Sequence, residues 1–499
     1  MRPHASRTAA RRTLETSALL ALALLLACGG GDDPVEPAPV ASVVLDPTTL
    51  QLLVGQSAPL TATARDNAGV TLAGRTIAWT TSNAAVATAA SNGTVTGVSA
   101  GSATITATVE GKTATAAVVV VAPQAPALTF ASVTAGGAHT CALTAAGAAW
   151  CWGRGESGQL GIPAPTITCP TDSGPIACST TPVAVGGGLT FARLAAGVAH
   201  TCGLVADGTA YCWGNDVAGQ LGDGQTTNRT APTPVSTTLK FVALAAGAQH
   251  TCGLTSDGVA SCWGRNDRGQ LGDGTTNLRT VPTAVLTQER FRSIGAGGSS
   301  IGQTCALTTN GAAWCWGDGE RGQLGNGTRD IVAHPLPVEV SGSLTLSAIS
   351  VGHGRHVCAL TSAGAAFCWG ENAFGGLGNG TMFNLSMVPT PVSSSTVFTQ
   401  IVAGGFIGHS CALTSAGAAW CWGDNEVGAI GDGTNDDRET PAAVTGGLVF
   451  RAITAGLRHS CGITVAGAVY CWGSNGAGQL GTNSTTSRSA PTRVVSGSS

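Results

Sequence analysis

Residues 250–264 read His250-Thr251-Cys252-Gly253-Leu254-Thr255-Ser256-Asp257-Gly258-Val259-Ala260-Ser261-Cys262-Trp263-Gly264. Two cysteines stand ten positions apart, Trp-Gly follows the second, and a glycine sits six residues after the first. The arrangement recurs at 141/151, 202/212, 305/315, 358/368, 411/421 and 461/471. Asp257 is the midpoint between Cys252 and Cys262, so a tight turn at 256–258 sets the two cysteines opposite each other on antiparallel strands. Directly opposed residues lie about 4.5–5.5 Å apart at Cα, which a disulfide can span. Each small loop closed this way stabilises by roughly 3 kcal/mol in the chain-entropy model, less any strain.

Seventeen cysteines point to an oxidising compartment. The expected pairs are Cys141 with Cys151, Cys202 with Cys212, Cys252 with Cys262, Cys305 with Cys315, Cys358 with Cys368, Cys411 with Cys421, and Cys461 with Cys471. Cys169 and Cys178 form an eighth candidate pair inside an insertion at 162–181. Zinc is the competing reading, but a ten-residue spacing within one hairpin lacks the knuckle spacing of zinc sites. Cys28 is left over.

First cysteines follow one another at intervals of 61, 50, 53, 53, 53 and 50 residues. A period near fifty means propeller blades or a solenoid. Each unit holds four strand-like pieces: Phe-x-x-hydrophobic leading to Ala-Gly, the His-Thr-Cys segment, the Cys-Trp-Gly segment, and a segment with proline such as 281–285. Four antiparallel strands repeated radially make a blade, and seven of them are expected over 127–499. The array opens on Phe130 and closes on Pro491-Thr492-Arg493-Val494-Val495. That last strand is expected to complete a blade begun at the N-terminus and so remove the edges of the ring.

Residues 43–121 alternate apolar and polar positions in short runs (50–54, 60–64, 77–79, 104–109, 114–121) separated by turn signals such as Asn92-Gly93 and Glu110-Gly111. A β-sandwich over 41–122 follows, with Trp79 expected in its core. The fold class is therefore all-β: a seven-bladed propeller preceded by an immunoglobulin-like sandwich. Glycine abundance (72 residues) and sparse charge (10%) suit short buried strands joined by tight turns.

Residues 1–27 carry Arg2, Arg7, Arg11 and Arg12 before the apolar run 18–27, the pattern of an export signal too short to span a membrane. Losing this segment, with its four arginines and one glutamate, takes the formal net charge from −3 to −6. Only Lys112 and Lys240 are lysines, and no basic stripe is left to neutralise phosphates, so a nucleic-acid partner is not expected. Residues 28–40, rich in Gly, Asp, Pro and Ala, read as a flexible tether.

Three resemblances add to this. The string Leu25-Leu26-Ala27-Cys28-Gly29 resembles a bacterial lipobox, which implies that Cys28 is lipidated and becomes the mature N-terminus. Gly29, where Asp would retain the protein at the inner membrane, implies the outer membrane. Trp79-Thr80-Thr81-Ser82-Asn83, Gly93-Thr94-Val95-Thr96-Gly97 and Ala100-Gly101 resemble the bacterial Ig-like domain of group 2, commonly a spacer. Gly-x-x-His-Thr, the hairpin glycine, Trp-Gly-x-Asn and Gly-Gln-Leu-Gly (219–222, 269–272) resemble the regulator of chromosome condensation repeat family.

That family's best-known activity is nucleotide exchange on a small nuclear GTPase, which an exported protein does not meet. The extra tryptophans of plant ultraviolet receptors are also missing: the corresponding sites read Gly456-Leu457-Arg458-His459 and Gly247-Ala248-Gln249-His250. No nucleophile–base order or phosphate loop departs from the repeat to suggest catalysis. The expectation is a non-enzymatic protein with no cofactor and no metal site.

The recurrent His139, His200, His250, His356, His409 and His459, with Gln303 in the fourth unit, are expected to hydrogen-bond backbone within their own sheets. What varies between units is therefore the place to look. The loops before the histidines and after Trp-Gly emerge on one face. There, units five and six carry Phe374, Met382, Phe383, Met387, Phe406 and Ile407, flanked by His353 and Arg355. Apolar residues in such loops suggest a patch for a protein or glycan partner; local packing under long loops is the alternative. The leading expectation is a monomeric, lipid-anchored surface binding protein. A secreted enzyme inhibitor and an enzyme with a central-channel site are the other two.

Overall fold

The computed structural model describes residues 37–121 and 128–495, apart from 164, 166, 172–173, 299–300 and 406–407. The signal segment 1–27, Cys28 and most of the tether, together with the linker 123–126, Phe406 and Ile407, lie outside the described residues. The chain divides into two compact units at Ala125 and Pro126.

In the first unit, Lys112–Val121 pairs antiparallel with Gly101–Val109 and parallel with Thr49–Leu53, and Ala78–Thr81 completes this four-stranded sheet. Ser57–Pro59, Thr94–Gly97 and Ala87–Ala89 form a second sheet, and Ser42–Asp46 pairs with Thr61–Arg65. Alternation along the long strands puts Ile105, Ala107, Ala116 and Val118 fully inside. Trp79 corrects the expectation: it is half-buried at the margin of this core. Its indole leans on Gly93, where a Cβ would lie 2.9 Å from Trp79 Cζ2 and 2.4 Å from the Leu60 carbonyl oxygen.

The second unit contains seven consecutive antiparallel sheets, six of four strands and a first of five. The third blade shows the plan. Phe241–Ala246 is innermost, then His250–Thr255, Ala260–Gly264 and, outermost, Arg279–Ala284. Cys252 faces Cys262 in register, and the hairpin closes where Gly258 N–H donates to Thr255 O at 3.0 Å. Gly258 sits at φ 81°, a conformation that costs a side-chain-bearing residue energy. All seven hairpin pairs are disulfide-bonded at Cα separations of 4.0–4.1 Å, close to the narrow spacing of opposed antiparallel residues. Cys169 and Cys178 form the eighth bond.

The seven Trp-Gly tryptophans are fully buried. Each leans into the preceding blade: Trp263 packs with Leu204, Leu221 and Phe241. Gly222 makes room for it, because a Cβ there would lie 2.5 Å from Trp263 Nε1.

The ring does not close by strand exchange, contrary to the expectation. Arg488–Arg493 pairs within its own sheet, Thr492 opposite Cys471. The first blade has an outer strand of its own, Ile176–Ala184, hidden in the sequence behind the insertion, with Val183 opposite Cys151. Closure is instead by packing and single hydrogen bonds: Phe130, Ala142 and Trp152 of blade one join Ile463 and Leu480 of blade seven in one cluster, and Phe130 N–H donates to Gly467 O at 2.8 Å. The insertion also differs from its expected role. Rather than projecting from a rim, it adds the short edge strand Ile167–Cys169 and buries Ile176 and Cys178 against Ala477 of blade seven.

Candidate functional site

The histidine belt comes first, since six buried imidazoles invite a metal-binding reading. Each His Nε2 reaches the hydroxyl of the next blade: His139 to Thr201 at 2.9 Å, His200 to Thr251 at 2.9 Å, His250 to Thr304 at 3.0 Å, His356 to Ser410 at 2.9 Å, His409 to Ser460 at 3.0 Å and His459 to Thr140 at 2.9 Å. These hydroxyls donate their own protons to main-chain oxygens of the histidine's blade, Thr201 to Gln159 O at 3.0 Å and Thr251 to Gln220 O at 2.8 Å. The imidazole is therefore the donor, protonated on Nε2. Burial is the main cause that drives these imidazoles down to about 3–4, so they are neutral at pH 7. The expected bonding within each sheet is thus replaced by bonding between blades, because the ring turns edgewise towards its neighbour. Among the described residues, no group of three or more His, Cys, Asp or Glu side chains is placed to hold a metal ion.

The fourth interface is the exception. Gln303 takes the histidine position, and Val357 stands where the other blades carry Thr or Ser. Gln303 Nε2 turns to Gly354 O at 3.4 Å instead.

The apolar loop residues of blade five fall into distinct settings. Phe374 and Phe383 meet edge to face with ring centroids 6.2 Å apart. Phe374 is half-buried, while Phe383 is 76% exposed at φ 58°, a strained setting for a residue with a side chain. Beside Phe383 lies a groove of about 290 Å³ lined by Arg321, Glu371, Ala373, Asn384 and Leu385. Arg321 and Glu371 stand 3.8 Å apart across the interface between blades four and five. Met382 is half-buried. Met387 lies on the outer strand Asn384–Pro391, its Cγ 3.1 Å from where a Cβ on Gly322 of blade four would stand.

His353 is a correction. It does not flank this patch: it is 7% exposed and lines the central channel, where its imidazole lies against the backbone of Ala135 and Ala196. Arg355 is half-buried and acts on blade four. Burial pushes the Asp318 carboxyl up, and the Arg355 and Arg268 guanidiniums pull against that shift.

Sequence reasoning missed Arg321, Glu371 and Leu385 as groove walls. It also missed Ile331 and Val332, 71% and 65% exposed on the outer strand of blade four. That strand, Asp330–Glu339, has ten residues against six in Arg279–Ala284 and Arg438–Ala443. The signal was available: Ile331-Val332-Ala333 is an apolar run, and His334, which takes the place of Arg279 and Arg438, stands two residues further from its Trp-Gly glycine than they do.

Comparison with known proteins agrees with this architecture. The bacterial Ig-like domain (group 2) model matches residues 39–120. The regulator of chromosome condensation (RCC1) repeat models match segments from 130–159 through 466–499, which together span more than half of the chain. Human E3 ubiquitin-protein ligase HERC2 is 31% identical over 30% of this chain and 3% of its own length; the Arabidopsis thaliana ultraviolet-B receptor UVR8 is 33% identical over 28% of this chain and 32% of its own. This chain thus spans under a third of either relative. Among solved structures, human WBSCR16 superposes with a TM-score of 0.61 at 22% identity, covering 70% of this chain and 94% of that one. Yeast RCC1 (Prp20), solved with Kap60, gives 0.56 at 22%, covering 66% and 78%. At such identities the likeness is one of fold. The chain is a member of the regulator of chromosome condensation repeat family, and it carries a bacterial Ig-like domain of group 2 ahead of its propeller.

Proposed function

We propose that this protein is a lipid-anchored, non-enzymatic binding protein of the bacterial cell envelope. In this reading Cys28 carries the lipid, the Ig-like unit serves as a spacer, and the propeller engages a protein partner at blades four and five. The observation that carries it is Phe383: a phenylalanine held exposed in a left-handed backbone conformation, braced by Phe374, at the lip of an apolar groove. Exposed aromatic anchors beside grooves are typical centres of protein interfaces. The groove walls set the apolar Ala373 and Leu385 beside Arg321, Glu371 and Asn384, a mixture of apolar surface and both charges that suits a protein surface. Eight disulfides and a bacterial Ig-like domain support a location outside the cytoplasm.

The experiment is photo-crosslinking in the native envelope from positions 383 and 331, followed by titration of the captured protein against purified variants. Phe383→Ala and Phe374→Ala are each expected to weaken binding by ten-fold or more, about 1.4 kcal/mol, and Val465→Ala, in a hairpin turn, to leave it unchanged. Affinity unchanged in both phenylalanine variants sinks the patch. For the anchor, Cys28→Ser is expected to abolish incorporation of labelled palmitate; persistent labelling would refute the assignment.

A further inference from the structure

The seven innermost strands surround a central channel of about 280 Å³. Each is paired on one side only, so its other edge presents main-chain N–H and C=O groups to the channel. At the level opposite the first cysteines stand Thr134, Ser350 and Thr454, with Ala195, Ala245 and Gly295 among them. Ser350 Oγ accepts Ala403 N–H at 2.9 Å and Thr454 Oγ1 accepts Ala135 N–H at 3.1 Å, which leaves both hydroxyl protons to donate elsewhere.

His353 sits at the loop-face end. It starts on blade five and reaches the backbone of Ala135 and Ala196 in blades one and two, so it spans the channel. It is 7% exposed and closes this end, its Nδ1 buried without a partner as in the six belt histidines. Burial holds it at about 4, neutral at pH 7, and the other lining residues are uncharged.

We propose that this channel binds one small, uncharged, multiply hydroxylated molecule of monosaccharide size, which enters from the hairpin-turn face, stops against the His353 plug and bonds the Ser350 and Thr454 hydroxyls and the inner-strand backbone. A charged ligand would lose its hydration with no counter-charge to meet it. An apolar ligand would leave the strand edges unpaired. Hydroxyl groups donate and accept, which matches a wall of mixed N–H, C=O and O–H groups. The volume is near the lower end of the range for ligand pockets, roughly 300 Å³.

The test uses the full chain, calorimetry and ligand-observed NMR. Glucose, galactose and N-acetylglucosamine are compared with glucosamine and glucuronate. Saturable millimolar binding of a neutral sugar is expected, with the charged sugars at least about tenfold weaker, and with a shift of the His353 ring resonances, which border the channel. The double variant Ser350→Ala, Thr454→Val, which removes both channel hydroxyls, is expected to abolish binding. Ala245→Leu, which narrows the channel and leaves the plug in place, should do the same should the first variant fold poorly. No saturable binding by any neutral sugar, equal binding by the charged ones, or binding retained in Ala245→Leu would overturn the proposal. The Phe383 groove is a separate place, so either reading can fail alone.

Discussion

His459 Nε2 lies 2.9 Å from Thr140 Oγ1, joining the last blade to the first across 319 residues of sequence. Thr140 in turn donates to Gln479 O at 2.9 Å, so one hydroxyl ties together two parts of blade seven. Since no strand is shared across this seam, the ring is held shut by such side-chain bonds, by single main-chain bonds such as Phe130 N–H to Gly467 O at 2.8 Å, and by the Phe130–Trp152 cluster. Thr140→Val keeps the shape and leaves the buried His459 Nε2 unpaired, while Gln479 O keeps the Trp152 Nε1–H at 2.9 Å. It is expected to destabilise the propeller by about 1–3 kcal/mol, read as a lower urea midpoint with unchanged slope. A neutral result would mean that this hydroxyl link adds nothing to the other contacts of the seam.

The blade-four interface offers the converse experiment. Gln303 and Val357 together forgo the link that the other six interfaces make. Val357→Thr alone buries a hydroxyl facing a glutamine, and Gln303→His alone gives an imidazole with no hydroxyl to meet. Both are expected to destabilise. The double variant rebuilds the pair, and a double-mutant cycle should show a favourable coupling of about 1 kcal/mol. Additive effects would show that the two positions do not communicate.

Asp216 stands where blades three, five, six and seven carry Asn266, Asn372, Asn425 and Asn475. Its Oδ1 accepts Leu221 N–H at 2.9 Å, as Asn266 Oδ1 accepts Leu271 N–H, but its Oδ2 is buried without a partner. Burial is the main cause that pushes this carboxyl up to about 6, and the Asp223 charge adds to it. The folded state thus takes up a proton before the unfolded state does as the pH falls, so the cost of Asp216 to folding builds from about pH 4 and is complete above about pH 6. Asp216→Asn is expected to stabilise by about 1–3 kcal/mol at pH 7, with the gain shrinking as the pH falls through 6 towards 4. A gain independent of pH would place the effect elsewhere.

Seven histidines, the belt of six and His353, are held neutral at about 3–4 by burial. An unfolded histidine titrates near 6.5, so below that pH the unfolded chain binds protons that the folded chain refuses. Their contribution is complete above about pH 7 and is lost as the pH falls towards 4, by up to about 1.4 kcal/mol per pH unit for each titrating residue. Urea midpoints measured from pH 7.5 to 5 should fall steeply below 6.5. A flat profile would contradict neutral burial.

Much of the architecture was legible because a disulfide hairpin is a local object. The spacing of Cys252 and Cys262 around Gly258 dictates a turn and a register, and sevenfold recurrence dictates a ring of blades. The candidate site was legible only in part. Phe374 and Phe383 stood out by comparing units, but one-letter spacing cannot say which way a loop side chain turns, and His353 turns inwards from the same loop that carries Arg355. Nor could it show that Gln303 and Val357, 54 positions apart, oppose each other across one interface.

What the sequence alone determined was the unit: four strands, one turn, a buried tryptophan and an opposed cysteine pair, all set by neighbours within one period. Only the tertiary structure decided how the units meet. The partner of each histidine, the placement of the insertion against blade seven, the closing of the ring without a shared strand and the plugging of the channel all depend on contacts between blades. Those contacts are fixed by how the rigid sheets pack around an axis, a geometry that no single period encodes.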